Sequence, residues 1–235
     1  INNRTELINS CQLLKYDSIH GKFNTKIKFN DKNLIINNKK IYYSRETEIN
    51  KINWKKNGVD IVLECTGKNN SKEKSLQHIK SGAKKVIVSA PCKNADKTIV
   101  YGVNHKIINK KDLVISAASC TTNCLAPIAQ VLNDEFKIEK GFMTTIHAYT
   151  TDQRLLDNSH KDPRRERSAA QSIVPTSTGA SKALSEIIPE LKGKIEGLAL
   201  RVPTPNVSLV DLIFNSQKKL SISKINNSFK SASKK

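Results

Sequence analysis

The sequence predicts an α/β first half that passes into an α+β second half. Three observations carry that reading: short apolar runs stopped by Gly or Pro, helical stretches of crossover length between them, and longer strands around one long polar loop after Ser119. Residues 26–29 and 34–43 read as strands, the second folding back at Asn37-Asn38, a pair suited to a tight hairpin turn. The apolar run 59–65, stopped by Thr66-Gly67, reads as a buried parallel strand. A helix over 71–80 is closed by Ser81-Gly82, and strands at 85–89 and 113–118 follow. Strand, crossover helix and strand at this spacing imply a parallel sheet with both faces covered.

The second half predicts a helix over 121–136, a strand over 141–148 and a polar, Arg-rich loop over 151–167, too long for a plain connector. Ala183, Leu184, Ile187 and Ile188 have helical spacing within 181–191. Strands at 198–202 and 207–214 flank Pro203 and Pro205, and a helix is expected over 223–232. No repeat or low-complexity linker intervenes, so the break is placed at Ser119, giving domains 1–119 and 120–235.

Composition narrows the classes. At 37% hydrophobic and 26% charged, the chain is neither a membrane bundle, a collagen nor a disordered polymer. No run approaches the roughly 18 apolar residues of a membrane span, and no signal-peptide pattern opens the chain. Five cysteines form a sparse, odd set, which favours a reducing, cytoplasmic home over a disulfide scaffold. The net charge of +19 raises the question of nucleic acid as a partner. The basic residues are dispersed in pairs such as Lys39-Lys40 and Lys110-Lys111, without basic–aromatic alternation. Nucleic acid is therefore not expected as the main partner, nor is a membrane.

The chemistry concentrates at Ser119-Cys120-Thr121-Thr122-Asn123-Cys124, where a buried strand ends and a helix begins. A helix N-terminus presents free N–H donors and partial positive charge, which favours a thiolate. A buried structural role suits Cys65, inside a strand, better than Cys120. Pairing of Cys120 with Cys124 one turn on is an alternative, but no further His or Cys completes a metal set. His147 closes a strand and is a candidate base, a structural imidazole being the competing reading.

The run 119–127, ending Leu125-Ala126-Pro127, resembles the active-site signature of phosphorylating glyceraldehyde-3-phosphate dehydrogenases. The likeness extends through Thr144–His147–Thr150, Arg164-Arg165-Glu166-Arg167, the run 175–180 and the run 201–207, and upstream through 14–18 and 58–60. The resemblance implies an incomplete Rossmann-type dinucleotide-binding domain followed by a truncated mixed-sheet catalytic domain. It implies Cys120 as nucleophile and His147 as base. Thr150 and Arg201 match the site for the phosphate of glyceraldehyde 3-phosphate. Ser119, Thr178, Gly179 and Arg165 match the region receiving inorganic phosphate, with Thr121 beside both. Asn3, Arg4, Thr66, Gly67 and Ser89 fall at coenzyme-binding positions.

The chain departs from the family pattern in three ways. The glycine-rich turn that holds the pyrophosphate and the family's terminal part have no counterpart, so the sequence resembles an interior fragment expected to fold poorly and to be inactive alone. Asn3, followed by Arg4, stands where NAD-preferring members carry an acidic residue, Ser159 occurs where strict NAD users have Pro, and Thr47 replaces a common arginine. These imply NAD or NADP, with a lean towards NADP or dual use. The family implies a homotetramer, with the loop 151–167 crossing between subunits. Erythrose-4-phosphate dehydrogenase is a same-fold alternative, disfavoured by Thr178-Gly179, and a nucleic-acid-binding relic of the scaffold is the alternative from another class.

Overall fold

The computed structural model describes residues 1–234. It separates into two compact units, the first comprising Ile1–Val88, Lys93–Asp96 and Lys110–Ile115, the second Ser89–Cys92, Lys97–Asn109 and the chain from Ser116 onward. The chain passes for the last time from the first unit to the second between Ile115 and Ser116.

The first unit opens with α1 (Leu7–Lys15) and a minimal antiparallel pair, β1 (Tyr16–Asp17) and β2 (Gly21–Lys22), none of which the sequence reading anticipated. β3 (Ile27–Asn30), β4 (Asn33–Ile36) and β5 (Lys39–Tyr42) form an antiparallel meander. Asn37 and Asn38 have φ of 47° and 64°, the left-handed pair that a two-residue hairpin turn requires. β6 (Ile61–Glu64) leads to α2 (Lys72–Lys80), which Ser71 caps by accepting the Lys74 N–H at 3.4 Å. β7 (Lys85–Val88) then pairs in parallel with β6, so the expected strand–helix–strand crossover is present. The short β8 (Lys97–Thr98) belongs to residues of the second unit, and β9 (Val114–Ser116), next to β7, carries the chain across the boundary.

One expectation fails at β6. Val62 and Glu64 are buried, but Ile61 is 53% and Leu63 66% exposed, so this sheet is not covered on both faces. The two-residue period of a strand also carries Cys65 to that uncovered side, and its thiol is exposed rather than structural.

The second unit is built on α3 (Cys120–Phe136) and a four-stranded sheet. Its strands are β10 (Ile138–Ala148), β11 (Val174–Ser177), β12 (Ile195–Val202) and β13 (Ser208–Ser216), ordered β11-β12-β10-β13. β10 and β12 are parallel and the other pairs antiparallel. α4 (Ala180–Ile187) stops before Pro189, earlier than its apolar spacing suggested, and α5 (Ile222–Ala232) closes the chain. β11 was not anticipated. Leu125, Ala129, Leu132 and Phe136 of α3 pack with Met143, Leu184, Ile188 and Ile195 in one core. Gly197 lets β12 lie against β10: a Cβ there would meet the Met143 carbonyl at 2.6 Å. Among the described residues no helix is long and apolar enough to cross a membrane.

Candidate active site

The thiol is placed by a tight turn. β9 ends at Ser116, whose Oγ donates to the Ala90 carbonyl at 2.9 Å and accepts the Ala118 N–H at 3.1 Å. Ala118 is left-handed at φ 58°, a conformation costly for a residue with a Cβ, so its neighbours must hold it. Ser119 then caps α3, accepting the Thr122 N–H at 3.1 Å and pairing with Thr122 Oγ1 at 2.6 Å. Asn123 Nδ2 donates to the Ala117 and Ser119 carbonyls at 2.8 and 2.9 Å, closing the turn from beyond. Cys120 is thereby the first residue of a 17-residue helix and is exposed, at the end that favours negative charge.

His147 comes to it from β10. Its Nε2 lies 3.2 Å from Cys120 Sγ, and its Nδ1 lies 2.7 Å from the Ala148 carbonyl. A carbonyl only accepts, so this contact favours a proton on Nδ1 and a lone pair on Nε2 turned to the thiol, the tautomer a base requires. Arg201 is the ladder partner of His147 on β12. Its NH1 group donates to the Ala148 carbonyl at 3.0 Å and to Thr150 Oγ1 at 3.3 Å. The same group is 3.0 Å from Nδ1, and because a guanidinium only donates, this contact favours Nδ1 as an acceptor and competes with the Ala148 contact; it also opposes formation of the imidazolium. Burial, then the charges of Arg201 and Arg165, push the His147 pKa down against the Ala148 hydrogen bond. Arg201 Nε is buried without a partner among the described residues, a donor left for an anion.

Arg165 belongs to the same field but is already engaged. It forms an ion pair with Asp152, donates from Nε to Thr176 Oγ1 at 2.9 Å, and donates from NH2 to the Ser177 carbonyl at 3.2 Å. The Thr176 hydroxyl in turn donates to Asp162 Oδ2 at 2.7 Å. The Arg164 guanidinium, then Thr176, hold the Asp162 carboxyl well below the usual range. Thr178 Oγ1 accepts the Ala180 N–H at 3.2 Å, and exposed Gly179 caps α4. Thr121 is buried in the first turn of α3. No side-chain hydrogen bond ties Thr121, Thr178 or Gly179 to Cys120 or His147 among the described residues. Asp152, Asp162 and Thr176 were missed; only the proximity of Asp152 to Thr150 in sequence hinted at any of them.

The expected coenzyme positions divide. Asn3, Arg4, Thr47 and Thr66 line one groove of ≈ 1020 Å³ in the first unit. Gly67 follows at φ 71°, with open space where a Cβ would point. Ser89 is exposed, is assigned to the second unit and does not line that groove.

A thiol in hydrogen-bond contact with an imidazole, beside an arginine with an unpartnered donor, is an arrangement able to support covalent catalysis on an anionic substrate. Residues 119–235 match the C-terminal domain of glyceraldehyde 3-phosphate dehydrogenase, and residues 1–72 match its NAD binding domain. The chain is 51% identical to the glyceraldehyde-3-phosphate dehydrogenase of Geobacillus stearothermophilus, over 99% of its own length and 70% of that protein's. It is 51% identical to glyceraldehyde-3-phosphate dehydrogenase 2 of Bacillus subtilis, over 95% of this chain and 66% of that one. Against the Clostridium pasteurianum enzyme the identity is 50%, over 99% and 70%. The chain belongs to the glyceraldehyde-3-phosphate dehydrogenase family, whose members are NAD-dependent dehydrogenases.

Proposed function

We propose that Cys120 and His147 carry out the oxidation and phosphorylation of glyceraldehyde 3-phosphate to 1,3-bisphosphoglycerate. The observation that carries this reading is the 3.2 Å contact from Sγ to Nε2, with the Nδ1–Ala148 contact favouring a lone pair on that nitrogen. The Cys120 S–H proton passes to Nε2 as sulfur bonds the aldehyde carbon. A bound nicotinamide supplies the hydride acceptor that leaves a thioester on Cys120. Inorganic phosphate attacks that carbonyl, and the carbon–sulfur bond breaks to return the thiolate. Arg201, with its free Nε, and Thr150 hold the substrate's own phosphate. Ser119, Thr121, Thr178, Gly179 and Arg165 form the region for the attacking phosphate, Arg165 reaching it by exchanging its protein partners for the anion.

For the coenzyme, Asn3, Arg4 and Thr66 share a groove, and Gly67 leaves its backbone open to close approach, so these residues fit the adenine-ribose side of a dinucleotide. Ser89 is assigned to the same coenzyme. A neutral Asn3 beside the Arg4 cation supports acceptance of NADP as well as NAD. A homotetramer is supported by an exposed apolar face on the second sheet, where Phe142 (44% exposed) pairs with Ile213 (70%). Leu155 and Leu156 in the long loop, 77% and 76% exposed, add to it. The free thiols of Cys11, Cys65, Cys120 and Cys124 support a cytoplasmic location.

The test is NAD(P)H formation from glyceraldehyde 3-phosphate with and without phosphate, in the parent, Cys120→Ser and Cys124→Ser proteins. Activity that needs phosphate, vanishes in the first variant and survives in the second is expected. A rate independent of phosphate, or equal losses from both substitutions, refutes the assignment.

A further inference from the structure

The first unit contains a buried polar chain that the reaction does not use. Glu64, the last residue of β6, is 3% exposed and His78 of α2 is 4% exposed. The indole Nε1 of Trp54 lies 3.1 Å from His78 Nδ1, and His78 Nε2 lies 3.0 Å from Glu64 Oε2. An indole N–H only donates, so Nδ1 accepts and His78 must carry its proton on Nε2, aimed at the carboxylate. The second donor to Oε2 is Asn69 Nδ2 at 2.8 Å. Oε1 takes the Thr66 N–H at 2.7 Å and the Thr66 hydroxyl at 2.5 Å. Burial by itself would raise the Glu64 pKa, but the four donors, His78 foremost, outweigh it and bring the value down to about 2.

Two of those four donors belong to Thr66, directly before the left-handed Gly67, and a third to Asn69 just beyond it. The Asn69 carbonyl in turn accepts the Ser75 hydroxyl of α2 at 2.9 Å, and the Asn70 amide closes back on the Gly67 carbonyl at 3.0 Å. The turn after β6 is thus wrapped around a buried anion whose far side is locked by Trp54. We propose that Glu64 is a positioning residue for the coenzyme: held by the Trp54–His78 pair, its carboxylate sets the Thr66-Gly67 turn on which the dinucleotide is seated. This rests on the reading above that the turn faces the coenzyme.

The tautomer lock makes the proposal testable in a way that packing alone does not. In Glu64→Gln the side-chain amide has one acceptor oxygen for four donors. Asn69 can turn its own amide to compensate, but His78 cannot move its proton while Trp54 donates to Nδ1. Trp54→Phe releases Nδ1, so His78 can carry the proton there and accept at Nε2 from the amide introduced by Glu64→Gln.

The experiment measures kcat and coenzyme KM in the intact enzyme for Glu64→Gln, Trp54→Phe and the double variant, with cooperative thermal unfolding as the folding check. Glu64→Gln should raise coenzyme KM about tenfold, the scale of one lost charge-assisted hydrogen bond, with kcat within about twofold. The double variant should recover most of that loss although it carries two substitutions. Additive damage in the double variant, or an unchanged KM in Glu64→Gln, overturns the proposal. If Glu64→Gln does not fold, Asn69→Ala, which withdraws one donor and keeps the anion, should raise KM about threefold, and no change overturns it. Gly67→Asn keeps a left-handed turn but fills the seat. A KM unmoved by Gly67→Asn refutes the placement of the coenzyme itself, whereas a raised KM there with none in Glu64→Gln refutes only the role of Glu64.

Discussion

Replacing His147 by Asn isolates the base from the scaffold. Asparagine fits the buried end of β10 and can donate to the Ala148 carbonyl, but it cannot take a proton from sulfur. Nε2 of His147, at 3.2 Å, is the one side-chain atom in hydrogen-bond contact with Cys120 Sγ among the described residues. The Asp152 carboxylate is committed to Arg165. With no substitute base at hand, the loss should be that of a whole general base, roughly 10²–10⁴ in the acylation rate. At about 1.4 kcal/mol per decade this is ~3–6 kcal/mol of barrier. The assay is single-turnover acylation together with the rate of Cys120 alkylation by iodoacetamide across pH. Because burial and then the two arginines lower the His147 pKa, the parent's acid limb should lie below that of an ordinary imidazole. In His147→Asn that limb should vanish. An alkylation profile unchanged in rate and shape would refute the pairing of sulfur and imidazole.

Gly197→Ala should destabilise the second unit by about 1–3 kcal/mol, the range for overpacking, because the Met143 carbonyl 2.6 Å from the new Cβ is fixed in the β10–β12 ladder; urea unfolding checks it. Glu64 gives the protein a stability term with a definite sign. Its pKa is about 2 in the fold against 4.5 without partners, so the term is full above 4.5 and is lost as pH falls through 2. In Glu64→Gln the fall in chemical stability between those pH values should flatten, and an unchanged slope would remove Glu64 as its source.

The sequence was readable where a single local rule governs the outcome. Asn37-Asn38 marks a hairpin because few residue pairs tolerate two left-handed positions, and the start of the helix after Ser119 follows from the end of an apolar strand just before it. The Cys120–His147 contact was visible only as a pair of element ends, and the parallel register of β10 and β12 that sets Arg201 beside His147 was not visible at all. Asp152 could not be read from the sequence, because its role depends on Arg165, thirteen residues on and across a loop without regular hydrogen bonding. Glu64 and His78 stayed hidden for a different reason. Each is one polar residue in an otherwise ordinary strand or helix, and only the packing of α2 against β7, the ladder neighbour of β6, brings them together. The exposed Ile61 and Leu63 misled in the opposite direction, since an apolar run says nothing about whether anything covers it.

The ladder that sets His147 against Arg201 also decides how the site can fail. The two residues share a face because they are register partners on parallel strands, as Phe142 and Ile213 share the other face on an antiparallel pair. A slip of β12 by one residue would turn Arg201 to the opposite face and put Leu200 or Val202 beside the imidazole. No intermediate alignment exists, so damage to this strand pairing should divide molecules into competent and dead ones instead of slowing them all. A partly misfolded preparation would then show an unaltered KM and a kcat reduced in proportion to its titratable Cys120.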